Sequence, residues 1–139
     1  MITLAAATCL ALNIYWEARD QDEDGQRMVA DVTLERLLTP GYPDTICGVV
    51  YEHRAFSWTE DGKSDKPTDV EAYLRAQIIA DQTLLYGCSL CSGATHYATR
   101  DALPYWATDC DVIGMWGNHI FYIERQPLRH PPKRPEVRE

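Results

Sequence analysis

CLALNIYWEARDQDEDGQRMVADVTLER, residues 9–36, is the most informative stretch of the chain. One face of its first half carries residues at helical spacing: Leu10, Asn13, Ile14 and Glu17. Thr3 is a suitable N-cap, so a first helix is predicted from Thr3 to about Ala18. Glu17 then lies on the inward stripe of that helix, near its carboxyl end.

Three more helices are predicted downstream. The second should cover residues 25–38, and a short third should follow residues 43–44. Thr68 and Glu71 have the spacing of a capping box in front of a fourth helix, which should end near Tyr86. The chain up to about Tyr86 is therefore predominantly helical in this prediction.

The remainder of the chain loses the helical period. Residues 119–123 are aromatic and β-branched, which predicts a strand paired with residues 95–98. The predicted fold class is α+β, mainly α: a single domain, residues 1–125, with a small antiparallel β-hairpin. Residues 126–139 are expected to form a flexible C-terminal tail, because the last ten of them hold three prolines and no apolar periodicity. We expect a monomer.

Composition excludes some classes of protein. The 139 residues are 45% hydrophobic, enough for one compact core. The 13 basic and 21 acidic residues give a formal net charge of −8, which argues against a nucleic-acid partner. The apolar stretch 4–16 is too short to span a bilayer and lacks a basic leader, so neither membrane insertion nor a signal peptide is expected, and synthesis should be cytoplasmic.

Glu17 is the best candidate for a catalytic acid. A glutamate beside Tyr15 and Trp16, near the carboxyl end of a helix, experiences desolvation and the negative end of the helix dipole. Both effects raise the pKa of a carboxyl and so favour the protonated form that a general acid needs. The alternative is a surface ion pair between Glu17 and Arg19 or Arg36.

The five cysteines are an odd number, so they cannot all pair within the chain. Cys9 is expected to be a small buried hydrophobic residue of the first helix. Cys88, Cys91 and His96 have the spacing of three zinc-knuckle ligands, but Asp101 occupies the fourth position. We therefore expect no metal and no cofactor, with zinc, completed by Cys110, as the minor alternative.

Residues 9–36 resemble the opening of the spore-cortex-lytic type of cell wall hydrolases, which has a tyrosine-x-glutamate-alanine-arginine hallmark. Four later blocks appear in the order of that family: YPDTICGVVYE (42–52), FSWT (56–59), GATHYATRDALPYWA (93–107) and GNHIFY (117–122). The resemblance covers about residues 8–123. The chain departs from the family at Asp20 and Gln21, after the arginine, and at Ala98, where a second histidine is common.

This resemblance implies a lysozyme-like fold and cleavage of the β-1,4 bond between N-acetylmuramic acid and N-acetylglucosamine in peptidoglycan, with Glu17 as the catalytic residue. It also implies lytic transglycosylation, in which the muramyl hydroxyl of the substrate closes an anhydro ring, so that one glutamate suffices. The expected substrate-binding residues are Ser57, Trp58, Thr95, His96, Tyr97, Tyr105, Trp106 and Tyr122. A phage lysis enzyme, released through a membrane lesion, would fit a wall-cutting protein without a leader.

Two other functions remain open at this point. One is hydrolysis by a muramidase, which usually needs a second carboxylate; Asp20, Glu23 and Glu60 are the candidates. The other is a non-catalytic wall-binding or zinc-stabilised interaction module.

The polar stretch 53–67 carries two large apolar side chains, Phe56 and Trp58. They are two residues apart, so an extended loop would point both to one side and Ser57 to the other. We predict that Phe56 and Trp58 pack the loop against the core and that Ser57 faces the cleft.

Overall fold

A computed structural model describes residues 3–125. It contains four helices: α1 (Leu4–Ala18), α2 (Glu23–Leu38), α3 (Ile46–Val50) and α4 (Val70–Tyr86). Three strands follow: β1 (His96–Thr99), β2 (Cys110–Trp116) and β3 (His119–Glu124). Two 3-10 helices occupy Ser57–Glu60 and Tyr105–Asp109. The predicted α+β, mainly α fold class is confirmed, and the predicted tail 126–139 lies outside the described residues.

The helix boundaries follow local capping chemistry. Thr3 caps α1 as predicted, because its side chain accepts a hydrogen bond from the Ala6 N–H. Asp22 caps α2, so this helix begins two residues earlier than expected. The predicted capping box at Thr68 is wrong: the cap of α4 is Asp69, whose carboxylate accepts from the Ala72 N–H at 3.1 Å.

The sheet has one more strand than the predicted hairpin. It is antiparallel with the order β1-β3-β2, so β3 is central. The predicted pairing of β3 with the segment before residue 99 is present, with Tyr97 opposite Phe121. The unexpected strand is β2, which carries a register irregularity between Val112 and Gly114.

The core lies between α1 and the elements packed around it. Its larger cluster joins α1 to α3, α4 and the 53–60 loop through Leu10, Ile14, Val49, Phe56 and Ile79. A smaller cluster joins α2 to the sheet through Met28, Val32 and Phe121. No helix in the described range is long and apolar enough to cross a membrane.

Candidate active site

Glu17 is held where helix α1 meets the sheet. Its side chain is half-buried, and its Oε1 accepts a hydrogen bond of 2.6 Å from the hydroxyl of Tyr97 on β1. Burial raises the pKa of Glu17, and the Tyr97 hydrogen bond and the positive charge of Arg36 oppose that rise only in part. Glu17 therefore keeps its proton to a higher pH than an exposed glutamate does.

The two arginines near Glu17 do not make the surface ion pair considered above. The Arg19 guanidinium lies 5.0 Å from the ring centroids of both Tyr15 and Trp16. Arg36 is buried, and its Nε donates to the Thr95 carbonyl at 2.7 Å. Among the ion pairs of residues 3–125, none includes Glu17, so Arg36 acts on it only as a charge at longer range.

Tyr97 is fixed by the rings around it. Its ring stacks on Phe56 at a centroid distance of 6.3 Å and meets His119 edge-on at 5.1 Å and Phe121 at 5.3 Å. Burial, followed by the negative charge of Glu17, raises the pKa of Tyr97 well above its usual value. The Tyr97 hydroxyl thus remains protonated and can act only as a neutral donor to Glu17.

The 53–60 loop packs as the sequence predicted. Phe56 and Trp58 are 3% and 5% exposed, whereas Ser57 between them is exposed. The Trp58 indole N–H donates to Asn13 Oδ1 at 2.8 Å. This burial argues against Trp58 as a direct sugar contact, because neither its ring nor its N–H is left open; it belongs to the internal support of the site.

A second aromatic group lies on the other face of the sheet. His96 and Tyr122 are opposite one another in the register, so they project away from the face of Tyr97 and Phe121. Trp106 contacts both: its ring centroid lies 4.7 Å from that of His96 and 5.0 Å from that of Tyr122. No hydrogen bond or ring contact within the described residues joins these three side chains to Glu17.

The candidates for substrate binding therefore differ in accessibility. Thr95 and Tyr122 are buried, and the Thr95 hydroxyl bonds to His96 Nδ1 at 2.9 Å, which argues against direct contact of either with a substrate. Trp106 is half-buried, and Tyr105 is 91% exposed. Burial lowers the pKa of His96 to about 4, so this imidazole is neutral at higher pH.

None of the three carboxylates considered as a second catalytic group bonds to Glu17 or Tyr97. Glu23 pairs with Arg27 at 2.8 Å. Glu60 accepts from the Arg54 N–H at 2.8 Å and pairs with His53. Asp20 is exposed. Within the described part of the chain, two half-buried carboxylates accept from a tyrosine, Glu17 from Tyr97 at 2.6 Å and Glu124 from Tyr42 at 3.0 Å. Of these, Glu17 has the family-like position at the end of α1 and a pKa that burial raises.

The cysteines correct one prediction and remove an alternative. Cys9 is half-buried and forms a disulfide with Cys47, because α1 and α3 pack together and bring the two Cα atoms to 5.3 Å; it is not a simple hydrophobic residue. Cys88 and Cys91 form a second disulfide, which takes both sulfurs from the zinc alternative. Cys110 is free and buried.

The loop that carries the second disulfide is anchored on α2. Asp31, 5% exposed, accepts hydrogen bonds from three successive backbone N–H groups: Ser89 and Leu90 at 2.8 Å each, and Cys91 at 3.2 Å. Such a nest of N–H groups is a suitable partner for a carboxylate. Because the loop leads into β1, this anchor and the Arg36 bond to Thr95 together fix the strand that supplies Tyr97.

Sequence reasoning missed three residues that support this site: Asn13, Asp31 and Arg36 in its role on Thr95. Asn13 gave a signal, since it is a polar residue on the apolar stripe of the first helix. The partners of Asp31 and Arg36 lie about sixty residues away, at separations of 58 to 60, and no local pattern shows them.

Fold and site together define a small α+β domain with one half-buried acid between a helix and a sheet. The model of the cell wall hydrolase family matches residues 20–122, and this chain belongs to that family. A spore cortex-lytic enzyme of Halalkalibacterium halodurans is 37% identical over 113 residues, covering 81% of this chain and 33% of the relative. The corresponding enzyme of Bacillus subtilis is 31% identical over 116 residues, covering 81% and 35%. The chain spans about a third of the length of these relatives.

Solved structures show the same architecture. The catalytic domain of the Bacillus cereus SleB protein superposes with a TM-score of 0.71 at 27% identity, covering 88% of this chain and 92% of that one. The catalytic domain of a germination-specific lytic transglycosylase, SleB from Bacillus anthracis, gives a TM-score of 0.72 at 30% identity, with coverages of 87% and 96%. The phage-lysis setting finds no support in these relatives, two of which are named for the spore cortex.

Proposed function

We propose that this chain cleaves the glycan strands of peptidoglycan at the β-1,4 bond between N-acetylmuramic acid and N-acetylglucosamine, with Glu17 as its single general acid and base. The observation that carries the proposal is the half-buried Glu17 carboxyl, whose pKa is raised by burial and whose Oε1 is held by Tyr97. A carboxyl that keeps its proton to a higher pH than an exposed glutamate is better able to protonate a leaving oxygen.

The reaction we propose is lytic transglycosylation. Glu17 gives its proton to the glycosidic oxygen as the bond from that oxygen to the muramyl anomeric carbon breaks. The muramyl hydroxyl of the substrate then bonds to the same carbon, and its proton passes to the Glu17 carboxylate. The product is an anhydro ring, no water is consumed, and Glu17 ends protonated as it began. Two observations favour this route. Within the described residues, no second carboxylate is hydrogen-bonded to Glu17 or Tyr97, and the Bacillus anthracis neighbour is a lytic transglycosylase.

The second candidate is hydrolysis by the same residue, with water in place of the muramyl hydroxyl. Retaining and inverting glycosidases usually place a second carboxylate near the first, and Asp20, Glu23 and Glu60 are exposed or already paired. Mass spectrometry of the released muropeptides separates the two reactions. Transglycosylation gives ends that are lighter by one water molecule than those of the hydrolytic product.

For substrate contacts we propose the residues that retain accessible surface: Ser57 on the loop, and Tyr105 and Trp106 beside the sheet. Sugar rings offer apolar faces to aromatic side chains, and their hydroxyls and amides suit the Ser57 hydroxyl. In this proposal Tyr97 acts on Glu17, half-buried His96 packs beside Trp106, and the buried residues Trp58, Thr95 and Tyr122 support the surface from within. No metal or other cofactor takes part, and the domain works as a monomer.

Replacement of Glu17 by glutamine tests the proposal. Glu17→Gln keeps the size of the side chain but removes the transferable proton, so the rate of peptidoglycan solubilisation should fall at least roughly a hundredfold. Glu23→Gln is the matched control, because Glu23 is exposed and pairs with Arg27; it should keep the wild-type rate. If Glu17→Gln retained more than about a tenth of the activity, far above that expectation, Glu17 could not be the acid.

A further inference from the structure

Asn13 lies one helical turn before Glu17 and is completely buried, with 0% exposure. A buried amide must have its hydrogen bonds satisfied, because an unpaired polar group in the core is costly. Three side chains from different parts of the fold meet it: Trp58 from the loop, Thr33 from α2 and Tyr97 from β1. Asn13 thus joins the helices, the loop and the sheet at the back of the candidate active site.

Trp58 fixes the orientation of this amide. An indole N–H can only donate, and the Trp58 N–H reaches Asn13 at 2.8 Å. The atom that receives it must be the amide oxygen, Oδ1. The amide nitrogen of Asn13 consequently points the other way, toward the Thr33 hydroxyl, to which it donates at 3.4 Å, and toward the Tyr97 hydroxyl, whose pKa it lowers as a donor.

The Tyr97 hydroxyl receives a hydrogen bond on one side and gives one on the other. A hydroxyl has a single proton, and that proton goes to Glu17 Oε1 at 2.6 Å, because Asn13 presents a donor and not an acceptor. The hydrogen bonds therefore run in one direction, from Trp58 through Asn13 and Tyr97 to Glu17.

We propose that Trp58 is a positioning residue: by holding the Asn13 amide with its nitrogen toward Tyr97, it keeps the hydrogen bond of Tyr97 on Oε1 of Glu17 and leaves Oε2 to carry the acid proton. The inference rests on the proposed function. It adds which of the two carboxyl oxygens of Glu17 carries the proton that is given to the substrate. Without the Trp58 N–H, the Asn13 amide is free to rotate so that Oδ1 faces Tyr97. The Tyr97 proton then has a competing acceptor, and Glu17 loses its donor.

The test is the pH dependence of peptidoglycan solubilisation, together with direct NMR titration of the Glu17 carboxyl. A carboxylate that loses a hydrogen-bond donor has a higher pKa. In Trp58→Phe the alkaline limb of the pH–activity profile should therefore shift to higher pH, by on the order of one pH unit. Tyr97→Phe should move it in the same direction. The double variant Trp58→Phe/Tyr97→Phe should show no further shift, because both changes remove the same hydrogen bond.

A matched control and a rescue separate orientation from simple packing. Trp116→Phe makes the same substitution at a half-buried tryptophan that packs on Phe121 outside this chain of bonds; it should leave the limb unchanged. Asn13→Leu is close in size and removes the competing acceptor. In the Trp58→Phe background it should therefore return the limb to the wild-type position, whereas a packing defect would become worse.

An unchanged pKa of Glu17 in Trp58→Phe, or a shift that persists in Asn13→Leu/Trp58→Phe, would overturn the inference while the loss of activity in Glu17→Gln still stood. If Trp58→Phe does not fold, the same pH profile and Glu17 titration are measured on Asn13→Leu alone. The Tyr97 proton then has Glu17 as its remaining acceptor among these side chains, so the limb should stay in place. A move to higher pH in that variant would contradict the proposed direction of the bonds.

Discussion

Glu17 illustrates a conflict between activity and stability at the scale of one residue. Burial is the largest influence on its pKa, and it disfavours the ionised form in the folded chain. In the unfolded chain the same carboxyl is hydrated and ionises freely. The stability that the protonated group contributes is therefore fully present below the unfolded pKa and is lost as the pH rises through the higher folded pKa.

Because the pKa of Glu17 is higher in the folded than in the unfolded chain, Glu17→Gln is predicted to stabilise the protein at neutral pH. The amide is never charged, so at pH 7 the variant should melt at a higher temperature than the wild type, and the difference should disappear below about pH 4, where the carboxyl is protonated in both states. Thermal unfolding at the two pH values is the measurement. Glu71→Gln, at an exposed position, is the control and should show no such gain. A wild type that was the more stable of the two at pH 7 would contradict the assignment of burial as the dominant influence.

The sequence made Glu17 recognisable because its chemistry is local. Aromatic neighbours and a position near the end of a helix can be read from adjacent residues. Asn13 could be read only in part, since its spacing placed it on the inward stripe but its partners Thr33, Trp58 and Tyr97 come from three other elements. The direction of a hydrogen bond depends on which partner is an obligatory donor, and this requires the tertiary structure.

At the scale of elements, the 53–60 loop shows how a polar segment can be firmly held. Phe56 lies between the Tyr97 ring and the Arg36 guanidinium, which is 5.3 Å from its centroid. Glu60 closes the segment on itself by accepting from the Arg54 N–H. Ser57, in contrast, begins the 3-10 helix with an exposed side chain.

The two faces of this loop should respond differently to truncation. Phe56→Ala removes a buried ring and should lower the free energy of unfolding by about 3–5 kcal/mol. Ser57→Ala should leave the melting temperature close to wild type but slow turnover, because we expect its hydroxyl to face the glycan. Chemical denaturation and the solubilisation assay, applied to both variants, give the comparison. A stable, inactive Phe56→Ala beside an unstable Ser57→Ala would show that the two faces are reversed.

Strand β2 shows where prediction of the elements failed. Its sequence, CDVIGMW, has two exposed apolar residues, Val112 and Met115, and an irregular register, so the burial does not alternate along the strand. A half-buried strand is recognised by that alternation. Here the strand forms a hairpin with β3 across the two-residue turn at Gly117 and Asn118, a local turn signal that the prediction missed. The helices, whose period and caps are local, were predictable to within about two residues.

At the scale of the whole molecule, separate attachments hold the sheet against the helices. Among them are the Tyr97 bond to Glu17, the Arg36 bond to Thr95, and the three bonds from the Cys88–Cys91 loop to Asp31. The helices are joined to one another by the Cys9–Cys47 disulfide, which spans a sequence separation of 38 residues. The Cys88–Cys91 disulfide spans only 3.

These separations predict unequal contributions to stability. A cross-link that closes a long loop restricts the unfolded chain more, so Cys9→Ser/Cys47→Ser should lower the free energy of unfolding by about 2–4 kcal/mol. Cys88→Ser/Cys91→Ser should have a smaller effect on global stability. Denaturant unfolding of both double variants, without reductant, provides the measurement. A larger loss in the Cys88/Cys91 variant would mean that this disulfide acts chiefly through the folded state, by shaping the nest around Asp31.

The two disulfides also bear on where the molecule becomes mature. The bacterial cytoplasm keeps thiols reduced, whereas pairs persist in the oxidising space beyond the membrane. A newly made chain would carry five thiols and would lack the cross-link between α1 and α3. If peptidoglycan is the substrate, passage toward it also completes the covalent structure. The free energy of unfolding would then be lowest in the newly made chain and highest once the chain has reached peptidoglycan.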